Sequence, residues 1–171
     1  MQFSEITSFD DSRVEIIYTA YTSTFPENER RSYEQFSLLF NNPNVNVCSI
    51  VHENKCIGYI IIWKLNNFTF LEHFEVFSEF RNFKYGSSII QLLIQHHPKL
   101  VLEAEPSTLD EMASRRIAFY ERNGFTIVDQ DYIQPSYGEG KSPIPLYLLS
   151  TWKTENITSI ISEIKNVVYN F

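Results

Sequence analysis

The sequence predicts an α/β fold in which a central sheet of about seven strands is flanked by helices on both faces. Residues 45–51, 56–63 and 68–77 are rich in strand-forming residues, and short polar turns join them into an antiparallel meander. The middle segment is almost wholly apolar, and a strand of that composition must be covered on both faces. Amphipathic segments elsewhere in the chain supply the covering helices.

The elements are predicted in the order strand, two helices, three strands, helix, strand, helix, two strands and a terminal helix. The first helix stops before Pro26, and the second begins at Ser32, because Ser32-Tyr33-Glu34-Gln35 has the form of a capping box. Pro98 ends the third helix, and Gly124 follows the fourth as its C′ residue. The other strands are placed at 2–7, 100–105, 125–132 and 146–150, and the helices at 10–25, 32–40, 87–97, 112–123 and about 155–171.

Size and composition favour one domain over residues 1–171, in a chain with a formal net charge of −7. This charge argues against nucleic acid as a partner, because phosphate binding needs a broad basic face. Cys48 and Cys56 lie in strand-like runs without metal or redox spacing, which favours buried free thiols and a cytoplasmic location. The acidic N-terminus is unlike a signal peptide, no apolar run approaches the ~20 residues of a membrane span, and no metal site is predicted.

Residues 76–90 have the pattern of a strand end, a basic loop with one glycine, and an amphipathic helix. The first N–H groups of a helix have no partner within the helix, and the helix dipole adds positive potential there. Arg81 and Lys84 bring two formal positive charges to the same place. The pattern suits a diphosphate, although many α/β proteins join strand to helix through a similar loop that binds no ligand.

This loop and a later helix resemble, in order, the two motifs of the GNAT acetyltransferase superfamily over roughly residues 25–149. The family's loop is Arg or Gln, two residues, Gly, one residue, then Gly or Ala. Here it reads Arg81-Asn82-Phe83-Lys84-Tyr85-Gly86, followed by Ser87 and Ser88. The family's helix ends in Tyr-x-x-x-Gly-Phe, here Tyr120 to Phe125. Two positions depart from the family, because Lys84 replaces the first glycine and Ala113 stands where many relatives have asparagine.

The resemblance implies a mixed, mostly antiparallel sheet and an N-acetyltransferase that moves an acetyl group from acetyl-CoA directly to a primary amine of a small molecule or peptide. Acetyl-CoA is the expected co-substrate, and no metal is expected. In relatives a main-chain N–H before the loop polarises the thioester carbonyl, which assigns that role to Val76, with Phe77 beside it. The alternative is a non-catalytic acyl-CoA sensor or interaction module on the same fold. The implied acetyl-CoA-binding residues are Phe74, Glu75, Val76, Arg81, Asn82, Phe83, Lys84, Tyr85, Gly86, Ser87 and Ser88.

Two side chains are predicted to carry the proton transfers. The family position of Tyr120 implies the acid that protonates the departing thiolate, and the structural alternative is a ring packed at the rim of the core. Glu72 is the predicted base, since strand alternation puts it on one face with apolar residues 68, 70, 74 and 76, where its pKa should rise. A Glu72 held by hydrogen bonds for structure only, or a bulge that turns His73 or Glu75 toward the pocket, is the competing interpretation.

The acceptor pocket is predicted at the joint between the first two helices, which lines this pocket in similar proteins. Phe25, Glu29 and Arg30 belong to the joint, and Tyr132, Gln134 and Tyr137 belong to a later segment that is able to close over it. Glu29 suits a cationic amine. Arg30 either recognises a carboxylate or caps a helix end, with neither favoured.

Two further features are interpreted structurally. Glu103 and Glu105 share a strand face, where they hold water in the acceptor channel or pair with Arg115 or Arg116, and pairing is favoured. The terminal helix carries an apolar stripe that either packs on its own sheet, the favoured interpretation, or forms a homodimer. The stripe consists of Ile157, Ile160, Ile161, Ile164, Val167, Val168 and Phe171.

Overall fold

A computed structural model describes residues 1–170, whose main sheet has seven strands in the order β1-β2-β3-β4-β5-β9-β6. All neighbouring strands are antiparallel except β4 and β5. The strands are β1 Gln2–Ile6, β2 Val45–His52, β3 Lys55–Lys64, β4 Thr69–Val76, β5 Leu100–Ala104, β6 Thr126–Asp129, β7 Ile133–Gln134, β8 Ile144–Pro145 and β9 Tyr147–Ser150. The helices are α1 Arg13–Thr24, α2 Tyr33–Leu38, α3 Tyr85–His96, α4 Glu111–Arg122 and α5 Ile157–Ile164. The predicted fold class is confirmed.

Most element boundaries agree with the sequence patterns. The predicted capping box is confirmed, since Ser32 accepts from the Gln35 main chain while the Gln35 side chain accepts from Ser32. The strand predicted at 125–132 is shorter, and the chain after it forms a separate two-stranded pair of β7 and β8. No helix within residues 1–170 combines the length and apolarity needed to cross a bilayer. Cys48 is buried and Cys56 is partly exposed, both as free thiols.

Two apolar clusters cover the faces of the sheet. One contains side chains of α1, α2 and α5, and the other contains side chains of α3 and α4. Ile160, Ile164 and Val168 belong to the first cluster, so this part of the terminal stripe packs on its own sheet. The α-helix ends at Ile164 and continues as a π-helical turn over Lys165–Tyr169, and Phe171 lies outside the described residues.

The sheet opens where β4 and β5 diverge. These parallel strands pair only from Thr69↔Leu100 to Leu71↔Leu102, although β4 continues to Val76. On its other edge β4 stays paired with β3, where a Cβ atom on Gly58 would lie 2.1 Å from the main-chain oxygen of Glu75. The absence of a side chain at Gly58 therefore lets the end of β4 lie close against β3, away from β5.

A β-bulge at Glu72 changes the facing of the second half of β4. Ile61 pairs with His73 and Ile62 pairs with Leu71, so Glu72 is the extra residue. The prediction that Glu72 shares one face with residues 68, 70, 74 and 76 is therefore right only for the first two. Glu72 shares the α1–α2 face with residues 68 and 70, whereas residues 74 and 76 belong to the opposite cluster.

Candidate active site

A cavity of about 150 Å³ occupies the opening between β4 and β5. It joins the two faces of the sheet, because α4 contributes Tyr120 from one side and the end of α1 contributes Thr24 from the other. The remaining wall comes from the strand ends and from the segment around β7. Its lining residues are Thr24, Phe25, Glu29, Leu71, Glu72, His73, Phe74, Leu102, Glu103, Ala104, Glu105, Arg116, Tyr120, Gln134, Tyr137 and Leu146.

Glu103 projects from the end of β5 into this cavity. Its Oε2 atom accepts a 2.5 Å hydrogen bond from the Tyr169 hydroxyl, while Oε1 is buried and has no partner within residues 1–170. Burial raises the pKa of Glu103 to about 7, against the opposing effect of the Tyr132 and Tyr169 hydroxyls. The favoured pairing of Glu103 with Arg115 or Arg116 is therefore wrong. Glu103 is a carboxylate with one open oxygen and a pKa suited to proton transfer at neutral pH.

The expected pairing does occur at Glu105, which accepts from Arg116. Arg115 instead bonds Glu111, one helical turn away on α4. Glu105, just after the end of β5, is thus an ion-paired carboxylate at the cavity edge, whereas Glu103 within β5 has no cationic partner among residues 1–170.

Tyr120 lies in the last turns of α4, with its ring packed edge-on against Phe119 and Phe125. Burial raises the pKa of its phenol to about 12, so the hydroxyl stays protonated at neutral pH. No hydrogen bond of this hydroxyl to another of the described residues is present. Tyr120 therefore presents a proton donor to the cavity while its ring serves the core.

Glu72 is held by three side chains and is only 1 % exposed. Arg31 Nε and Tyr137 Oη each donate to Oε1 at 2.9 Å, and Trp63 Nε1 donates to Oε2 at 2.6 Å. Burial raises the pKa of Glu72, but the Arg31 charge, the His73 ring and these hydrogen bonds together bring it below its ordinary value. The predicted rise in the pKa of Glu72 is wrong. In the folded chain its carboxylate contacts a cation and hydrogen-bond donors rather than the apolar residues that alternate with it in the sequence.

The bulge brings His73 to the cavity but leaves Glu75 outside its lining. Burial lowers the pKa of His73 to about 4, so the ring is neutral, and its buried Nδ1 has no partner within residues 1–170. Glu75 accepts from Thr24 Oγ1 at 2.7 Å and from Arg81 Nη2 at 3.2 Å. Glu75 therefore joins α1 to the loop after β4 rather than facing the acceptor.

The loop after β4 ends in a helix terminus without a side-chain cap. Helix α3 begins at Tyr85, and its N-cap residue Lys84 has the left-handed φ of 62° that the family's glycine would take easily. Asn82 is also left-handed, with φ of 69°. The uncapped N–H groups and the helix dipole make this end of α3 suitable for an anion. Arg81 Nε donates to the main-chain oxygen of Val76 at 3.0 Å, so its guanidinium is partly engaged with β4.

Lys84→Gly is expected to give a more stable protein than Lys84→Ala, by about 1 kcal/mol, because alanine keeps the strain of a left-handed residue and glycine does not. Both changes remove the same charge, so urea unfolding of the pair isolates the backbone effect. Equal stability of the two variants would show that Lys84 is not left-handed in solution.

The predicted acceptor residues fall into two groups. Phe25 and Glu29 line the cavity, and the Phe25 ring lies 4.5 Å from the His73 ring. Burial, followed by the Glu105 charge, raises the pKa of Glu29. Arg30 and Tyr132 lie outside the lining, and Tyr132 is buried in the core. The other two residues predicted in that segment, Gln134 and Tyr137, do line the cavity, and the buried Nε2 of Gln134 has no partner within residues 1–170.

Sequence patterns did not assign Arg31 or Tyr169 a role in this site. Nothing in the local sequence distinguishes Arg31 from its neighbour Arg30, and Tyr169 lies 66 residues from Glu103. No local pattern marks such pairs. Residues 1–170 contain no group of three or more His, Cys, Asp or Glu side chains arranged to hold a metal ion.

Residues 13–125 match the family profile described as "Acetyltransferase (GNAT) family". Over 100 % of this chain and 99 % of the other, the structure superposes with TM-score 0.93 and 30 % identity on a protein described as a GNAT-family acetyltransferase, from Bacteroides thetaiotaomicron. No curated protein sequence matches the chain significantly.

Two more distant solved structures share the fold. The ribosomal-protein-S18-alanine N-acetyltransferase of Escherichia coli is 15 % identical, with TM-score 0.60 over 91 % of this chain and 97 % of that one. A GNAT acetyltransferase of Elizabethkingia anophelis, solved with acetyl-CoA bound, is 18 % identical, with TM-score 0.52 over 71 % of this chain and 84 % of that one.

Proposed function

We propose that this chain, which belongs to the GNAT acetyltransferase family, transfers an acetyl group from acetyl-CoA directly to the amine of a small molecule or peptide. The observation that carries the proposal is the cavity between β4 and β5, where Glu103 and Tyr120 line the same space. Burial raises both pKa values, Glu103 to about 7 and Tyr120 to about 12. One group is thus suited to accept a proton and the other to donate one.

Acetyl-CoA fits the loop after β4 through main-chain donors. The end of α3 has no side-chain cap, and Lys84 adds a cation beside it, so the pyrophosphate would meet N–H groups, the helix dipole and a formal charge. The Gly86 position is close-packed, since a Cβ there would lie 3.4 Å from the Phe119 ring. From this loop the thioester arm would extend into the opening between β4 and β5. A protein of this fold has been solved with acetyl-CoA bound.

The acceptor amine would enter from the α1–α2 joint, past Phe25 and Glu29. Glu29 and Glu105 favour a cation in this part of the cavity, and Arg116 is already paired with Glu105. An ammonium group can then give a proton to the open Oε1 of Glu103, which leaves a neutral nitrogen able to attack the thioester. A carboxylate-bearing acceptor would meet like charges at the same entrance.

Attack by the nitrogen forms the C–N bond and places negative charge on the thioester oxygen. Beyond Leu71, β4 no longer pairs with β5, so its N–H groups on that edge have no strand partner within residues 1–170. Val76 lies in this stretch and is the candidate donor to the thioester oxygen. The C–S bond then breaks, the Tyr120 hydroxyl supplies a proton to the departing thiolate, and the nitrogen releases its remaining extra proton to solvent, from which Tyr120 is reprotonated. The products are the N-acetylated amine and the free thiol of CoA.

Glu72 and His73 support this chemistry by position rather than by proton transfer. The pKa of Glu72 is lowered, and its oxygens accept hydrogen bonds from the protein side chains Arg31, Trp63 and Tyr137. Burial lowers the pKa of His73 to about 4, so the ring adds no charge to the acceptor site. The bulge that carries both residues sets the path of β4 at the point where it leaves β5.

Tyr120→Phe is expected to lower kcat about tenfold to a hundredfold while the dissociation constant for acetyl-CoA stays within about twofold, because the lost hydroxyl acts on the leaving thiolate. The measurements are thiol release across a panel of diamines, monoamines and peptide amines, and calorimetry with acetyl-CoA. Tyr147→Phe, a change on β9 away from the cavity lining, is the matched control. Tight acetyl-CoA binding without turnover of any amine would favour the alternative function, an acyl-CoA sensor.

A further inference from the structure

The C-terminal segment of the chain contacts the proposed base directly. The Tyr169 hydroxyl donates a 2.5 Å hydrogen bond to Oε2 of Glu103. The second oxygen, Oε1, is buried without a partner within residues 1–170, and Glu103 lines the cavity. One carboxylate oxygen is therefore fixed by the end of the chain, and the other is left for a ligand. Tyr169 lies well beyond residues 13–125, which match the family profile.

A π-helical turn brings this segment to the site. The turn covers Lys165–Tyr169, and the Asn170 N–H bonds the Lys165 carbonyl at 3.2 Å. Such wide turns occur frequently at functional sites. Within the turn, the Val168 carbonyl accepts from Arg31 Nη2 at 2.8 Å, and the Tyr169 ring lies 5.1 Å from the ring of Tyr137. The segment is therefore packed into the wall of the cavity by both main chain and side chain.

We propose that Tyr169 is a positioning residue: its hydroxyl holds Oε2 of Glu103 so that Oε1 of the same carboxylate faces the acceptor amine. The inference rests on the proposed role of Glu103 as base. A hydrogen bond donated to an ionised carboxylate favours the ionised form, so Tyr169 also keeps the base available at neutral pH. It does so from outside the two family motifs.

Burial raises the pKa of Glu103 to about 7, and titratable groups from several elements act on it as well. The Tyr132 and Tyr169 hydroxyls lower its pKa, and the Glu72 and Glu29 carboxylates raise it. Tyr137 also interacts with Glu103 electrostatically. Burial also raises the pKa of Tyr169 well above its ordinary value. The phenol is therefore a permanent donor in the working pH range, and its loss leaves the carboxyl harder to ionise.

Tyr169→Phe is expected to move the acidic limb of the kcat/KM profile upward by about one pH unit. The value at pH 7 then falls about fivefold, because a smaller fraction of Glu103 is ionised, while the alkaline plateau stays within about twofold. Using one acceptor amine for both proteins cancels the ionisation of the amine itself. Tyr33→Phe is the control, since Tyr33 is 53 % exposed and packs against Phe9 and Tyr18; its profile should match the wild type.

A second measurement tests the inference without turnover. Carbon-13 NMR of glutamate-labelled protein follows the carboxyl titration of Glu103, identified by its loss in Glu103→Gln. An upward shift of this titration in Tyr169→Phe supports the proposal even if no amine is acetylated, in which case only the proposed function fails. An unshifted titration, with kcat/KM lowered equally at every pH, would assign Tyr169 a structural role and overturn the proposal.

Discussion

Glu103→Gln is expected to lower kcat/KM for acetyl transfer by about a hundredfold to ten-thousandfold, the range typical of a lost general base. Glutamine keeps the shape of the side chain and its contact with Tyr169 but takes no proton from the ammonium group. The wild-type kcat/KM should rise with pH through about 7, where burial places the pKa of Glu103, and the variant should lose this step. Steady-state kinetics between pH 5 and 9 measures both effects.

Stability separates this role from a structural one. Burial raises the pKa of Glu103 from its ordinary value of 4.5 to about 7, so ionisation in the folded state is unfavourable and stability falls as pH rises through that interval. Glu103→Gln should therefore be at least as stable as wild type at pH 8. Glu111→Gln, which affects only the exposed pair with Arg115 outside the cavity lining, is the kinetic control and should retain activity within about twofold. A strongly destabilised Glu103→Gln with normal turnover would contradict the assignment.

Arg31→Met is expected to destabilise the protein by about 3–5 kcal/mol, because it leaves the buried Glu72 carboxylate without its cation. Both side chains are 1 % exposed. The Arg31 guanidinium also lies 5.2 Å from the Trp63 ring centre and 5.1 Å from that of Tyr137. Urea unfolding at pH 7 measures the loss, and a decrease below about 1 kcal/mol would contradict the buried pair.

A double variant tests whether the pair is the cause. Arg31→Met with Glu72→Gln removes both charges, and we expect it to recover more than half of the loss. The pKa of Glu72 is lowered in the folded protein, so its contribution is complete above the unfolded-state value of 4.5 and is lost as pH falls through the folded-state value. The advantage of wild type over the double variant should shrink in that acidic range. Purely additive losses would refute the coupling.

The fold was accessible from sequence because its signals are local and periodic. The capping box at Ser32, the apolar strand across 56–63 and the glycine-bearing loop before α3 each depend on a few adjacent residues. The loop shows how a departure from a motif can leave the backbone unchanged. Lys84 takes the left-handed conformation in place of glycine, and α3 starts directly after it at Tyr85, two residues before the predicted start at Ser87.

The details of the site were less accessible because they depend on single insertions and on distant contacts. One extra residue in β4 reverses the facing of every residue after it, and alternation alone gives no sign of the bulge at Glu72. The pKa of a carboxyl depends on its neighbours in space. The pKa of Glu72, predicted to rise, is therefore lowered, whereas the pKa of Glu103, a carboxylate predicted to be in an ion pair, is raised. The Arg31 charge that lowers the pKa of Glu72 comes from 41 residues away. Burial raises the pKa of Glu103, and the Tyr169 hydroxyl that opposes this rise comes from 66 residues away.

The most direct test of the proposed chemistry is a crystal structure of the protein with acetyl-CoA. We expect the pyrophosphate on the main-chain amides at the start of α3, the thioester between β4 and β5, its sulfur within hydrogen-bond reach of the Tyr120 hydroxyl, and open space beside the carbonyl facing Glu103 Oε1. A thioester bound outside this opening, or separated from Glu103 by a closed wall of side chains, would contradict the proposal that acetyl transfer takes place in this cavity.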